Sequence, residues 1–164
     1  MNKQSVVVGA IALVIVAIAV SSVLITTRKN KIELTGEILK VRTHQIDSEH
    51  TVVLADTRIH NPSTQQFVVR EVEVVVEEKD GKRTPAEIFA ETDIRRVVDY
   101  YKTLGTKENP GLLRRDKINS GETVDKTIAF SAPMTDERFG QRKAVRIVVH
   151  DVDRKQTELV ETRK

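Results

Sequence analysis

The sequence predicts a mainly β protein: one N-terminal transmembrane helix followed by an antiparallel β-sandwich that carries one inserted helix. Three observations lead there. An uncharged apolar run fills residues 6–25. Several later segments of five to ten residues alternate apolar and polar side chains between turn signals. A single stripe of apolar residues at spacings of three and four marks one helix.

The run VVVGAIALVIVAIAVSSVLI, from Val6 through Ile15 to Ile25, has no charge. At about 1.5 Å per residue it spans roughly 30 Å, the thickness of a bilayer's hydrocarbon core. Its β-branched residues disfavour a helix in water. In lipid the backbone finds no other hydrogen-bond partner, and a helix results. The expected organisation is an anchor with short flanks over 1–30 and a sandwich domain over 31–164. A cleaved signal peptide is the competing reading, with Ala17 and Ala19 as the small residues before a cleavage site. The apolar run continues six residues beyond Ala19, which favours an uncleaved anchor.

Lys3 precedes the run and Arg28, Lys29 and Lys31 follow it, so the flanking charges by themselves favour a cytoplasmic domain by a small margin. The layout, a short tail and one helix before a β-domain, is that of an exported, signal-anchored protein. The expected localisation is therefore single-pass membrane, with the C-terminal domain on the extracytoplasmic (periplasmic) side.

The chain carries 27 Lys and Arg against 24 Asp and Glu, interspersed along its length. Nucleic-acid binders concentrate basic charge to neutralise phosphates, and this balance argues against one. The absence of cysteine excludes disulfides, thiolate metal sites and a Cys nucleophile.

Within the domain, KIELTGEILKVRTHQ reads as a first strand with a bulge at Gly36. TVVLADTRIHN places Val53, Ala55, Thr57 and Ile59 on one face, and NPSTQQ is a loop. FVVREVEVVVEEKDGKR sets Val68, Val72, Val74 and Val76 on one face, interrupted by Arg70. Glu71, Glu73 and Glu77 lie on a wet opposite face, and Asp80-Gly81 forms a hairpin turn. TPAEIFAE fits either a short strand or a helix start, since Thr84-Pro85-Ala86-Glu87 has capping-box spacing.

Ile94, Val97, Val98, Tyr101 and Leu104 define the helix. Thr92 or Asp93 is the expected cap and Gly105 the end, and the helix is expected to cover one end or edge of the sandwich. A long connection, TKENPGLLRRDKINSG, precedes the strand ETVDKTIAF. SAPMTDERFGQRK reads as a loop, AVRIVVHDV as a strand with Val145, Ile147 and Val149 inward, and TELVE as a short last strand.

The stretch VVLADTRIHNPSTQQFVVREVEVVVEEKDGK, with the later SGETVDKTIAFSAP, resembles the late-embryogenesis-abundant group 2 (water-stress and hypersensitive-response) domain. The shared points are a strand ending in Asn61-Pro62, Phe67 opening a Val-rich strand that closes on Asp80-Gly81, and the turn Asn119-Ser120-Gly121-Glu122. The resemblance implies an immunoglobulin-like sandwich, often membrane-tethered, with stress-protective, lipid-contacting or binding roles and no catalysis. The helix and the long connection after it depart from that layout.

No catalytic, cofactor or metal constellation stands out. His44, His50, His60 and His150 fall in different segments without ligand spacing. His150-Asp151-Val152-Asp153 is the nearest approach to a cation site, and a solvated strand end is the simpler reading. There is no Gly-x-Ser-x-Gly and no Gly-x-Gly. Tyr101 joins the core stripe of the helix and Tyr100 lies off it. Candidate contacts to lipid headgroups or a protein partner are Arg28, Lys29, Lys31, Tyr100, Arg114 and Arg115. The expected role is a non-catalytic, membrane-tethered binding or scaffold module of the cell envelope. The alternatives are a lipid or small apolar ligand binder and an accessory subunit of a membrane complex, whose anchor would pack through Gly9, Ala10, Ala12, Ala17 and Ala19.

Overall fold

The computed structural model describes residues 34–153 and 155–161. The expected anchor, with Val6, Ile15 and Ile25, and the basic residues Arg28, Lys29 and Lys31 lie outside the described residues. Among the described residues no helix is long and apolar enough to cross a membrane.

Eight strands, β1 (Thr35–Gln45), β2 (Thr51–His60), β3 (Phe67–Glu77), β4 (Arg83–Ile88), β5 (Lys117–Ile118), β6 (Thr123–Ala132), β7 (Ala144–Asp151) and β8 (Gln156–Val160), pair in the order β1-β2-β6-β4-β3-β7-β8. The two-residue β5 pairs with the start of β3. Neighbouring strands are antiparallel throughout. The order curls because β4 changes sheets. Its Arg83–Ala86 pair with Val74–Glu77 of β3, while Glu87 and Ile88 pair with Ser131 and Phe130 of β6. The TPAEIFAE segment is thus a strand, formed because the Asp80-Gly81 turn (Gly81 φ +86°) folds it back onto β3.

The core lies between β1-β2-β6 and β3-β7-β8. Val53, Ala55 and Ile59 of β2 and Ile128 and Phe130 of β6 face Val74, Val76, Val145, Ile147 and Val149, all buried. Each such Val, Ile or Phe side chain contributes about 1.5–3 kcal/mol by leaving water. The alternation expected for β2 and β7 holds residue by residue.

β3 departs from its expected face. The register shifts between Val69 and Glu71, so Arg70 is an extra residue. A shift of one position exchanges the faces. Phe67 and Val69 point inward before the bulge and Val74 and Val76 after it, leaving Val68 half-exposed. Glu71 and Glu73 are exposed as expected, whereas Glu77 is buried.

The bulge of β1 lies between Ile38 and Lys40, and Gly36 pairs in register with Ile59. Glycine is needed there for another reason. A Cβ at this position would come within 2.3 Å of the Arg58 carbonyl oxygen and 3.1 Å of Leu159 Cδ2.

Helix α1 (Glu91–Tyr100) begins ahead of the expected cap, one residue before Thr92 and two before Asp93. Ala90 is the N-cap without a side-chain bond, and Thr92 and Asp93 sit inside the first turn. A 3-10 turn, Lys102–Leu104, follows and ends at Gly105 with φ +76°. The helix covers part of a sheet face, where an end or edge was expected. Ile94, Val98 and Leu104 pack on Val52, Leu54 and Ala129, the outward side chains of β2 and β6.

A second helix, α2 (Asp136–Gly140), occupies the segment read as a loop. The Thr135 hydroxyl accepts the Arg138 amide at its start, and Phe139 is fully buried against Phe130, with ring centroids 6.4 Å apart. One inserted helix thus becomes two.

Candidate functional site

Antiparallel pairing divides the sandwich into two ends, and the sequence candidates fall on both. One end holds Leu34, the last residues of β2 and β7, and the first residues of β3, β6 and β8. The opposite end holds the β3–β4 turn, α2 and the loop between β1 and β2. Helix α1 lies over the half of β2 and β6 nearer this second end, since Val52 and Leu54 open β2.

Two polar latches hold the α1 region, one to the sheet and one to the connection that follows the helix. Arg42 donates from Nη1 to the carbonyls of Leu104 (2.6 Å) and Thr106 (2.8 Å), and from Nη2 to Asp56 (2.9 Å). Asp56 also accepts the Thr127 hydroxyl at 2.7 Å. At the other end of the helix Glu91 accepts Lys107 Nζ and the Gly111 amide. Between α1 and residues 105–107 a hollow of about 500 Å³ opens to solvent, lined by Val98, Gly105 and Thr106 with Arg95, Asp99, Lys102 and Lys107 at its rim. The mixture suits a ligand or peptide with both an apolar and a charged part. No spacing signal announced it, because its walls come from a helix and from the loop that follows.

Tyr100 is 78% exposed on α1, its ring edge-on to Tyr101 at 4.8 Å. Tyr101 is half-buried and stacks on His44, with centroids 4.4 Å apart. Arg114 and Arg115 are exposed in the connection before β5, where Arg115 adopts φ +73° and its amide donates to the Val69 carbonyl. The structure therefore separates Tyr100, on α1, from the two arginines, which lie beside the start of β3.

The histidines stay apart. His44 Nδ1 meets the Thr103 hydroxyl at 2.8 Å and His60 Nδ1 the Thr123 hydroxyl at 3.0 Å. His150 Nε2 lies 3.1 Å from Glu73 Oε1. His50 Nδ1 lies 3.1 Å from Asp47 Oδ1, beside a shallower hollow of about 330 Å³ that Pro133, Met134 and Arg138 also line. The Glu49 amide, with His50, holds the Asp47 carboxyl below its usual range. Asp151 is buried and accepts the Val68 amide at 3.1 Å, so the expected solvated strand end is in fact a side-chain brace between β7 and β3; Asp153 is exposed. Among the described residues no three His, Cys, Asp or Glu side chains are arranged to hold a metal ion.

The charges of the far end tie elements together. Lys143 and Arg146 both donate to Glu77 and draw its carboxyl down from 4.5 to about 2. Arg138 of α2 meets Glu78 through two bonds of 2.6 and 2.9 Å, which lowers that carboxyl as well. Arg142 lies over the Phe139 ring at 4.1 Å and pairs with Glu161 just after β8. Sequence alternation missed this cluster because Glu77 looked like one more outer-face residue of β3.

No protein-family model matches the chain, and no curated protein matches it. Solved structures similar to it include an ApaG protein from Pseudomonas aeruginosa, 11% identical over 70% of this chain and 90% of that one, with a TM-score of 0.38. An uncharacterised β-sandwich protein from Clostridium difficile is 17% identical over 81% of this chain and 82% of that one, with a TM-score of 0.34. A protein of unknown function from Listeria monocytogenes is 12% identical over 81% and 88% respectively, with a TM-score of 0.34.

Proposed function

We propose that this protein is a single-pass, membrane-tethered and non-catalytic binding or scaffold module of the cell envelope, with its sandwich on the extracytoplasmic side. The apolar run over residues 6–25 supports the tether. The observation that carries the binding role is the hollow between α1 and residues 105–107. It is held by Arg42 of β1, which bonds the Leu104 and Thr106 carbonyls, and by Glu91, which bonds Lys107 and Gly111, and it lies in the half of the domain away from Leu34.

The finer fold reading is an immunoglobulin-like sandwich of the late-embryogenesis-abundant group 2 kind. Strands β1, β2, β6 and β4 facing β3, β7 and β8 follow the A-B-E-D and C-F-G order of immunoglobulin sheets. Asn61-Pro62 and Asp80-Gly81 sit at two of the three turns the resemblance rests on. Binding in the interior has less support than binding on α1, because Phe67, Phe130, Phe139 and Leu54 are fully buried.

The test is co-purification of the full chain from its own membranes, comparing wild type with Arg95→Glu/Lys102→Glu. The proposal expects a partner that the double variant loses while keeping its fold by circular dichroism. The same set of companions in both preparations would contradict a binding role for this hollow. Turnover of a substrate by the purified chain, abolished by a point change, would contradict the non-catalytic reading.

A further inference from the structure

The end of the sandwich that receives the chain from the expected anchor has its own surface chemistry. Eight residues, 26–33, separate Ile25 from Leu34. Fully extended they reach at most about 26–29 Å, less than the roughly 33 Å length of a ten-residue strand. Leu34 donates its amide to Thr157 Oγ1 (2.9 Å), which fixes the entry point beside the start of β8.

Around that entry point the start of β3 collects two exposed segments, one on each side. The Arg115 amide donates to the Val69 carbonyl at 2.7 Å, and the Val152 amide to the Val68 carbonyl at 3.2 Å. Val152, in the turn between β7 and β8, is 51% exposed, and Leu113 is 38% exposed. Arg114, Arg115 and Lys117 are exposed next to them. The nearby acids are partly engaged: Asp116 pairs with Lys126, Glu122 accepts the Asn119 amide, and Asp151 is buried on Val68. Asp153 is exposed. Apolar side chains beside arginine and lysine that pair with no acid among the described residues suit an interface whose outer layer is anionic and whose depth is apolar.

We propose that this end, formed by Leu113, Arg114, Arg115, Lys117 and Val152, lies against an anionic phospholipid surface, with Val152 and Leu113 at headgroup depth. The inference rests on the membrane-tethered reading. Charge and tether length argue for it together: the short connection keeps this end near the bilayer, and its basic side chains face the phosphates. Docking of this end would turn the α1 hollow outward.

The chain has no cysteine, so a single introduced one can be labelled uniquely. The full chain is reconstituted in phosphatidylcholine vesicles with or without phosphatidylglycerol, carrying a fluorophore at Val152→Cys or, in the β3–β4 turn at the opposite end, at Lys79→Cys. A headgroup quencher in the lipid then reports proximity. The proposal expects strong quenching at 152, little at 79, and a loss of quenching at 152 when phosphatidylglycerol is omitted or salt is raised. Arg114→Gln, Arg115→Asn and Lys117→Gln should each lower the docked-to-undocked ratio about fivefold; Asn tolerates the left-handed backbone at 115. Equal quenching at 152 and 79 in carbonate-resistant, vesicle-bound protein overturns this inference alone and leaves the cationic end to a protein partner. Protein that leaves the vesicles on carbonate washing overturns the tether reading and this inference together.

Discussion

The side-chain amide of Asn61 donates to the carbonyl of Ile118 at 2.9 Å, joining the end of β2 to β5, 57 residues further along the chain. Asn61 is fully buried, and its remaining capacity is also used. Nδ2 donates to the Gln65 carbonyl, and Oδ1 accepts the Ser63 amide and hydroxyl. Its own amide bonds the Glu122 carbonyl and its carbonyl accepts the Gly121 amide. One residue thus ties together the loops beside the entry of the chain. Asn61→Ala would strand several of these groups without water, at about 1–3 kcal/mol. Urea unfolding measures it, and a loss within the roughly 0.5 kcal/mol of a surface change would contradict that role.

Two glycines make opposite predictions. A Cβ at Gly36 meets a backbone oxygen of β2 at 2.3 Å, and a strand in register cannot withdraw. A Cβ at Gly111 meets Glu91 Oε2 at 2.1 Å, and that is the end of a flexible side chain. Gly36→Ala should cost about 1–3 kcal/mol by overpacking. Gly111→Ala should cost about 1 kcal/mol, the net worth of the displaced Glu91 bond. Thermal unfolding of the two variants side by side checks the order.

Glu77 predicts an acid dependence. Hydrogen bonds from Lys143 and Arg146 depress its carboxyl from 4.5 to about 2. A depressed acid contributes stability that is fully present above its unfolded value and is lost as pH falls through its folded one. The contribution therefore fades between pH 4.5 and about pH 2. Glu77→Gln should lower Tm at neutral pH, and the gap to wild type should close across that window. A gap that stays constant down to about pH 2 would contradict the role given to this ion pair.

Phe139 tests whether α2 is part of the core. Its ring is fully buried, packed on Phe130 and covered by the Arg142 guanidinium. Phe139→Ala should cost about 3–5 kcal/mol, measured by denaturant unfolding. A cost below about 1 kcal/mol would mean that α2 rests on the sandwich without being held by it.

What the sequence made legible follows from how local each signal is. β2 and β7 were readable because each alternates without interruption, Val53 to Ile59 and Val145 to Val149, and every alternate side chain is buried. The α1 stripe was readable because Ile94 and Val98 recur at helical spacing, and they pack on one sheet face together with Leu104 of the 3-10 turn that follows. β3 misled because the bulge at Arg70 exchanges its faces halfway, and a bulge is fixed by the register of the β7 partner, a distant strand. α2 stayed hidden since five residues are too few for a period to show. Thr84-Pro85 fitted a helix start or a strand equally well, and only pairing with Val75 and Val76 decides it. Of the candidate site, Tyr100 and Arg114-Arg115 were visible as exposed residues. The hollow beside α1 was not, because Arg95 of the helix and Lys107 of the following loop line it from either side of a turn that sequence spacing does not encode.

Alkaline carbonate extraction of native membranes, with the intact mass of the extracted protein, tests the tethered module most directly. The account predicts that the chain stays in the membrane pellet with Val6–Ile25 retained. Release into the carbonate supernatant, or a mature chain lacking roughly its first twenty residues, as signal-peptide removal leaves, would contradict it.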